Sequence, residues 1–184
     1  TIKNSIKMME MGLNVVSIPK TIDNDVFGTD KTFGFDTAVN IATDAIDRLH
    51  STASAHNRVM VIEVMGRQAG WLALHSGIAG GCDVILLPEM QFDMERVYDK
   101  VLERSHKGKS YSIIVVAEGI DTENTGLRAA EYVAQKIKKE TGIETRQTVL
   151  GYIQRGGSPS PYDRILASQF GSYSVELIAQ RKYN

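Results

Sequence analysis

Apolar residues gather in short runs along the chain, and longer segments of mixed polarity separate these runs. The runs are rich in β-branched residues and occupy positions 15–18, 59–64, 84–87, 113–116 and 148–150. Each run ends near a glycine, a proline or a charged residue, which is typical of a strand buried on both faces. The pattern therefore predicts a short buried strand at each of these positions.

The segments between the runs have the spacing of helices. Across residues 37–49 the apolar side chains recur at i, i+3, i+4 and i+7, so they share one helix face. Further helices are predicted at 1–11, 68–79, 93–107 and 127–140, with Trp71 expected in the core. A last helix is predicted to begin at Ser160, its N-cap, and to bury one stripe of side chains: Ile165, Leu166, Phe170, Tyr173 and Leu177.

The alternation of strands and helices predicts βαβ units, and therefore an α/β fold with a mostly parallel sheet. Such sheets bind ligands at the carboxyl ends of their strands, so the residues that directly follow each strand are the first candidates for chemistry. The chain begins in a predicted helix and stops soon after another. We therefore expect it to be a fragment of a larger enzyme.

Composition excludes several classes of protein. Lysine and arginine together number 21 and aspartate and glutamate 22, and this near-neutral balance argues against a nucleic-acid binder. Cys82 is the only cysteine, which excludes an internal disulfide and favours a reducing, cytoplasmic compartment. The first residues do not resemble a secretory signal, and no apolar run approaches the roughly 20 residues of a membrane-spanning helix. A secreted or membrane protein is therefore not expected.

The densest group of reactive side chains follows the first predicted strand. Residues 19–25 read Pro-Lys-Thr-Ile-Asp-Asn-Asp, which places Lys20, Thr21, Asp23 and Asp25 at one strand end. Two neighbouring carboxylates can raise one another's pKa, share a metal-bound water or take a proton from a hydroxyl. An Asx-type turn is the alternative interpretation, because Asn and Asp readily cap turns. The position at a strand end favours chemistry.

Glycine and charged residues follow the other strands. Gly66 and Arg67 begin a turn into a helix, where free N–H groups can bind an anion, although a tight turn with a solvated arginine fits equally well. Glu118 can accept sugar hydroxyls or can be an ordinary turn carboxylate. Four arginines lie near strand ends, and each of them taken alone is typical of a solvated surface charge. As a set they predict a small phosphorylated ligand, because a guanidinium bonds two phosphate oxygens at once: Arg58, Arg67, Arg146 and Arg155.

Three motifs together strongly resemble the 6-phosphofructokinase family. They are residues 19–25, residues 64–67 (Val-Met-Gly-Arg) and residues 151–159 (Gly-Tyr-Ile-Gln-Arg-Gly-Gly-Ser-Pro), in the family's order and spacing. The resemblance extends nearly from end to end. It implies a three-layer parallel-sheet sandwich with two subdomains. Residues 1–34 and 147–184 would belong to the donor subdomain, which is incomplete, and residues 35–146 to the fructose 6-phosphate subdomain.

The resemblance also implies a reaction. The family transfers a phosphoryl group, with Mg2+, to the 1-hydroxyl of fructose 6-phosphate, giving fructose 1,6-bisphosphate in glycolysis. By match to its motifs, Asp23 is the general base, and Thr21 and Asp25 line the same loop. Asp25 is the nearest candidate for the magnesium, whose ligands are otherwise open. Arg67 would stabilise charge on the transferring phosphoryl group.

The substrate-binding residues follow from the same motifs. Met65 and Gly66 would shape the sugar pocket, Glu118 would bind sugar hydroxyls, and Tyr152 with Arg155 would hold the 6-phosphate. Tyr152 stands where many bacterial members have histidine. Arg58 and Arg146 match arginines that reach this phosphate from a neighbouring subunit, which implies a homo-oligomer, dimer or tetramer. The remaining substrate-binding positions are in the first loop and the following turn: Thr21, Ile22, Asp23 and Arg67.

Lys20 bears on the phosphoryl donor. ATP-using members often have glycine at this position, and lysine there accompanies pyrophosphate, so the resemblance leans slightly to pyrophosphate and leaves ATP open. A non-catalytic, sugar-phosphate-binding regulatory subunit is the alternative function, and the presence of Asp23, Asp25 and Arg67 argues against it. The family's donor-binding motifs would precede residue 1. We therefore expect this chain alone to bind a donor poorly and to be inactive.

Overall fold

The computed structural model describes residues 2–183. Its helices and strands are α1 (Ile2–Glu10), α2 (Phe35–His56), β1 (Val59–Val64), α3 (Trp71–Ala79), β2 (Val84–Leu86), α4 (Met94–His106), β3 (Ser112–Ala117), α5 (Ala129–Thr141), β4 (Thr145–Val149) and α6 (Pro161–Ala179), with a 3-10 turn at Gly151–Gln154.

The four strands form one parallel sheet in the order β2-β3-β1-β4. Every residue of the central strands β1 and β3 is buried, because helices cover the sheet on both faces. Helix α2 packs on α3 and on β1, while α5 packs on α4, β1 and β4. The predicted α/β class with a parallel sheet and helices on both sides is confirmed.

Strand β4 shows why one strand was only partly predicted. The apolar pattern placed it at 148–150, whereas the strand runs from Thr145 to Val149. Its residues Arg146, Gln147 and Val149 are exposed, because β4 is an edge strand next to β1 alone. An edge strand can carry polar side chains, so an apolar run identifies only part of its length.

Residues 15–18 were predicted as a strand and do not form one. The segment is irregular, and the nearest pairing is an isolated bridge between Lys20 and Phe33. A strand exists through hydrogen bonds to a neighbour. The described residues provide no neighbouring strand here, so the intrinsic preference of Val15, Val16 and Ile18 is not enough.

Two predictions of burial are wrong. Ile165 and Tyr173 of α6 are 60% and 61% exposed, and Asp163 is the buried residue of this helix within the described part of the chain. Trp71, expected in the core, is 44% exposed at the start of α3. In both cases the side chain belongs to an apolar helix face that no described element covers. None of the described helices is long and apolar enough to cross a membrane.

Candidate active site

The carboxyl ends of β1 and β3 bring two predicted segments side by side. Val64 of β1 lies in register with Ala117 of β3, so the residues that follow each strand emerge as neighbours. The Glu118 carboxylate accepts hydrogen bonds at Oε1 from the backbone N–H of Gly66 at 3.1 Å and of Arg67 at 2.7 Å. One oxygen of Glu118 therefore fixes the turn after β1, and Oε2 makes no hydrogen bond to another described residue.

The close approach of the segments after β1 and β3 requires one glycine in each of them. Gly66 has φ +143°, and a Cβ there would lie 2.3 Å from the Ala69 carbonyl oxygen. A Cβ on Gly119 would lie 1.9 Å from the carbonyl oxygen of Arg67. No side chain fits either space, so the backbones of the two segments approach more closely than other residues would allow. Arg67 itself has φ +55°, which is uncommon for a residue with a side chain.

The loop that carries Asp23 is held by its own hydrogen bonds. The backbone N–H of Asp23 donates to Thr21 Oγ1 at 3.2 Å. Asn24, with φ +53°, accepts the N–H of Thr32 at its Oδ1 at 2.9 Å, and the Thr32 hydroxyl donates to the Thr21 carbonyl oxygen at 2.9 Å. Thr32 is buried. Asn24 thus fastens the loop to a residue eight positions later, a role that no short sequence pattern around 19–25 reveals.

Charges converge on Asp23. Burial raises the pKa of its carboxyl above the ordinary 3.8, the nearby Asp25 raises it further, and Glu118 adds to the same effect. Arg67 and the hydrogen bond from Thr21 act in the opposite direction. A carboxylate with a raised pKa is a better proton acceptor. The structure therefore brings together Asp23, Asp25, Arg67 and Glu118, which the sequence placed after three different runs.

Gln154 connects this edge to the last motif. Its buried side chain accepts the N–H of Met65 at Oε1 at 3.3 Å and donates from Nε2 to the Gly151 carbonyl oxygen at 3.0 Å. Next to it the Arg155 guanidinium lies over the Tyr152 ring, 5.1 Å from its centroid, and both side chains are exposed. Gln154 was not predicted as a site residue because it carries no charge; its position between Tyr152 and Arg155 was the available signal.

Arg58 and Arg146 lie at the opposite end of the sheet. Arg58 directly precedes β1, and Arg146 is the second residue of β4, so both are near the amino ends of the strands. Both are near Glu144, whose Oε1 lies 2.9 Å from Arg146 Nη2 and 3.9 Å from Arg58 Nη2. Within one chain the structure does not bring these two arginines to Asp23. The Arg58 Nε is buried without a hydrogen-bond partner among the described residues.

Lys20 and Asp25 lie at an open part of the surface. Lys20 is exposed, and Lys20, Thr21 and Ile22 line a cavity of about 410 Å3 that Gly156 and Gly157 also border. Asp25 is exposed and stands beside Asp23. In the described part of the chain no three carboxylate, histidine or cysteine side chains are close enough to hold a metal ion together. Such a set is not needed for Mg2+, which proteins often bind through one or two carboxylates and the phosphates of a substrate.

Comparison with known proteins identifies relatives over the whole chain. The family model described as Phosphofructokinase matches residues 1–178. The protein named ATP-dependent 6-phosphofructokinase 3 from Bacteroides thetaiotaomicron is 63% identical over 183 residues, which are 100% of this chain and 54% of that protein. An ATP-dependent 6-phosphofructokinase from Spirochaeta thermophila is 53% identical over an alignment of 199 residues, which covers 100% of this chain and 54% of the relative. The chain thus spans about half the length of these relatives.

Solved structures have the same fold. A pyrophosphate-dependent phosphofructokinase from Marinobacter aquaeolei superposes with a TM-score of 0.79 at 30% identity, over 99% of this chain and 49% of that one. The phosphofructokinase of Saccharomyces cerevisiae superposes with a TM-score of 0.78 at 35% identity, over 89% of this chain and 24% of that one. The slight lean to pyrophosphate is not confirmed, because the relatives with the higher identities are named for ATP.

Proposed function

The chain belongs to the phosphofructokinase family, and from this premise we propose that it is the sugar-phosphate side of an enzyme that phosphorylates the 1-hydroxyl of fructose 6-phosphate. The observation that carries the proposal is the convergence of Asp23, Arg67 and Glu118 at one edge of the sheet. A base, a cation and a hydroxyl acceptor there match the needs of phosphoryl transfer to a sugar.

The reaction follows from these positions. The Asp23 carboxylate takes the proton of the 1-hydroxyl as that oxygen attacks the terminal phosphorus of the donor, and the bond from this phosphorus to the rest of the donor breaks, releasing ADP from ATP or phosphate from pyrophosphate. Arg67 stabilises the negative charge that spreads over the transferring phosphoryl group. The free Oε2 of Glu118 accepts a sugar hydroxyl, while Oε1 keeps the Gly66–Arg67 turn in place. Tyr152 and Arg155 hold the 6-phosphate. Because phosphoryl transfer needs little covalent help from a protein, alignment and charge stabilisation supply most of the catalysis.

Magnesium fits this arrangement through Asp25. Its exposed carboxylate stands beside Asp23 and would hold the ion together with phosphate oxygens of the donor. When bound, the ion neutralises charge on the donor phosphates.

We propose ATP as the donor. The support is the identity of 63% and 53% to proteins named ATP-dependent 6-phosphofructokinase. Pyrophosphate remains the second candidate because of the exposed Lys20 at the donor side of the base loop, an ammonium suited to a small anion. A role in glycolysis agrees with a cytoplasmic enzyme. The free thiol of Cys82 agrees with the same location.

The complete site would be shared between copies. Arg58 and Arg146 lie at the amino edge of the sheet, far from the edge that holds Asp23 in the same chain, and both are near Glu144. In a homodimer or tetramer these arginines would reach the 6-phosphate in the site of a neighbouring copy. The neighbour would then supply charge that Arg155 alone does not.

The test is an assay of the full-length parent protein. Formation of fructose 1,6-bisphosphate is followed with ATP-Mg and with pyrophosphate-Mg in parallel, and Asp23→Asn is the control. We expect activity with ATP, and a loss of about 100-fold or more in kcat in the variant because the base is gone. Activity with pyrophosphate alone would make Lys20 the donor selector. An inactive parent that still binds fructose 6-phosphate would support a non-catalytic binding subunit instead.

A further inference from the structure

Three residues connect the first turns of α2 and α6. We name Thr37, Ser160 and Asp163 the α2–α6 clasp. Asp163 Oδ2 accepts the backbone N–H of Thr37 at 2.8 Å and also its hydroxyl. The same hydroxyl oxygen accepts the N–H of Ser160 at 3.0 Å, and the Ser160 hydroxyl accepts the N–H of Asp163 at 3.2 Å. The hydrogen bonds thus close a ring between residues more than a hundred positions apart.

The clasp caps both helices. Ser160 is the N-cap of α6, whereas Gly34, the N-cap of α2, has no side chain to cap with. Asp163 supplies the missing acceptor from the other helix. A carboxylate is favoured at helix N-termini, where unpaired N–H groups carry partial positive charge. The cap of α2 therefore depends on α6 being in place.

Asp163 is an unusual residue to bury. It is 3% exposed, and its Oδ1 has no hydrogen-bond partner among the described residues. Leaving one oxygen of a buried carboxylate unpaired is unfavourable, since the group loses water without full compensation. An apolar contact would join two helices at lower cost. The carboxylate is therefore better explained by the geometry that it imposes than by the stability that it adds.

On the α2 side, the clasp leads to the loop of the base. Gly34 packs against Thr21, because a Cβ at Gly34 would stand 3.6 Å from the Thr21 carbonyl oxygen. The same carbonyl oxygen of Thr21 accepts a hydrogen bond from the hydroxyl of Thr32, which lies two residues before Gly34. The start of α2 therefore supports the loop in which Thr21 holds the N–H of Asp23.

On the α6 side, the clasp leads to the arginine that would hold the phosphate. Arg164, next to Asp163, donates from Nε to the Pro159 carbonyl oxygen at 3.0 Å and from Nη2 to Ser158 Oγ at 3.0 Å. These bonds hold the segment that begins at Arg155 and ends at Ser160. The clasp thus stands between the loop of Asp23 and the loop of Arg155.

We infer that Asp163 and Thr37 are positioning residues that fix the separation between the general base and the phosphate-binding arginine. This inference rests on the proposed function. Fructose 6-phosphate carries its phosphate at one end and its reacting hydroxyl at the other, so it must meet both loops at once. A phosphoryl donor does not span the same two points. Loosening the clasp therefore affects recognition of the sugar phosphate more than recognition of the donor.

The experiment uses the full-length parent and four variants. Thr37→Val keeps the shape and the backbone N–H but removes the hydroxyl that closes the ring, and Asp163→Asn removes the charge. Thr37→Ser restores a hydroxyl. Asp44→Asn makes the same chemical change as Asp163→Asn on the exposed face of α2, where Asp44 pairs with Arg48. The readouts are kcat, KM for fructose 6-phosphate, KM for the donor, calorimetric binding of fructose 6-phosphate alone, and melting temperature.

We expect Thr37→Val and Asp163→Asn to lower kcat/KM for fructose 6-phosphate by about 10- to 100-fold, because small misplacements of reacting groups cost that much. Their KM for the donor should change less than their KM for fructose 6-phosphate, because the donor makes no contact with Arg155 in the proposed function. Thr37→Ser and Asp44→Asn should behave like the parent. If Asp163→Asn does not fold, the Thr37→Val and Thr37→Ser pair decides.

Two results would overturn the inference while the proposed function stands. One is an active parent whose clasp variants keep its kinetic constants. The other is a loss that follows the folded fraction, with both KM values unchanged, which would mean a purely structural clasp. A parent that neither turns over nor binds fructose 6-phosphate would instead overturn the proposed function, and the inference would fall with it.

Discussion

The Asp23 carboxylate occupies a place where its charged form is unfavourable. Burial and the neighbouring Asp25 both raise its pKa above 3.8, and Glu118 adds to them. In the proposed function Asp23 is a base that needs its charge, and it is kept where folding disfavours that charge. Such a conflict is typical of functional sites, where local preference yields to chemistry.

Removing this charge should stabilise the fold. Because the pKa of Asp23 is raised in the folded state, its contribution to stability is complete below about pH 4, near its ordinary value, and is lost as the pH rises through the raised pKa. We therefore expect Asp23→Asn to melt at a higher temperature than the parent at pH 7, with a difference that shrinks toward pH 4. Thermal unfolding followed by circular dichroism across this range measures it.

The control for this prediction is Asp44→Asn, which alters an exposed pair on α2. It should show no gain in melting temperature at neutral pH. An Asp23→Asn variant that melts at or below the temperature of the parent at pH 7 would contradict the prediction.

At the scale of elements, the sequence predicts what is apolar and local. Strands β1 and β3 are continuous β-branched runs in the buried centre of the sheet, so their pattern was sufficient. The charged residues of the candidate site were found because each directly follows an apolar run, although the run at 15–18 before Asp23 is not a strand. Gln154, Asn24 and Thr32 were not found, since each makes a hydrogen bond to a residue eight or more positions away in the chain. The apolar stripe of α6 was predicted on the correct helix. The sequence does not show which element covers that stripe, so the burial of Ile165 and Tyr173 was predicted wrongly.

Gly119 gives a test at this scale. A Cβ at this position would meet the Arg67 carbonyl oxygen at 1.9 Å, so Gly119→Ala must push the Gly66–Arg67 turn away from Glu118. We expect a loss of about 2 kcal/mol or more in the free energy of unfolding, together with a large loss of activity. Urea unfolding and the kinase assay on the full-length protein measure both.

Gly171 in α6 is the matched control. A Cβ there meets no atom within 4 Å, so Gly171→Ala should leave activity unchanged and add up to about 1 kcal/mol of stability through helix propensity. Equal effects of the two substitutions would show that the contact between Gly119 and Arg67 does not constrain the turn.

Gln154 gives a second test. Gln154→Leu keeps the volume but leaves the Met65 N–H and the Gly151 carbonyl without partners in a buried place. We expect a loss of about 1–3 kcal/mol in unfolding free energy. In the proposed function we also expect a higher KM for fructose 6-phosphate, because the segments of Met65 and Gly151 lose their common support. Gln135→Leu on the exposed face of α5 should change neither quantity. A Gln154→Leu variant with the KM of the parent would contradict this role.

At the scale of the whole molecule, the sheet separates the candidate groups. Arg67 and Arg155 lie beyond the carboxyl ends of β1 and β4, and Asp23 lies near Arg67 and Glu118 at the same edge, whereas Arg58 and Arg146 stand at the amino ends. The resemblance predicted that Arg58 and Arg146 reach the 6-phosphate from a neighbouring subunit. Within one chain the structure keeps these two arginines away from Asp23, and in the proposed function they serve the site of another copy.

Mixing two inactive variants tests this arrangement. If Asp23 of one copy works with Arg146 of another, Asp23→Asn and Arg146→Ala proteins should regain activity when they are unfolded and refolded together. In a randomly mixed dimer about a quarter of the sites would contain both native residues. The kinase assay of the mixture, against each variant refolded alone, measures the recovery. No recovery in demonstrably mixed oligomers would contradict a shared site.

The irregular segment at residues 15–18 has a practical consequence. Its backbone N–H and C=O groups lack a neighbouring strand among the described residues, and the exposed Ile6 and the half-buried Leu177 line a cavity together with Val15 and Val16. Unpaired backbone next to apolar surface recruits other chains by strand addition. Purified alone, this stretch of 184 residues would therefore be prone to aggregation, and its solubility would report on how well that surface is covered.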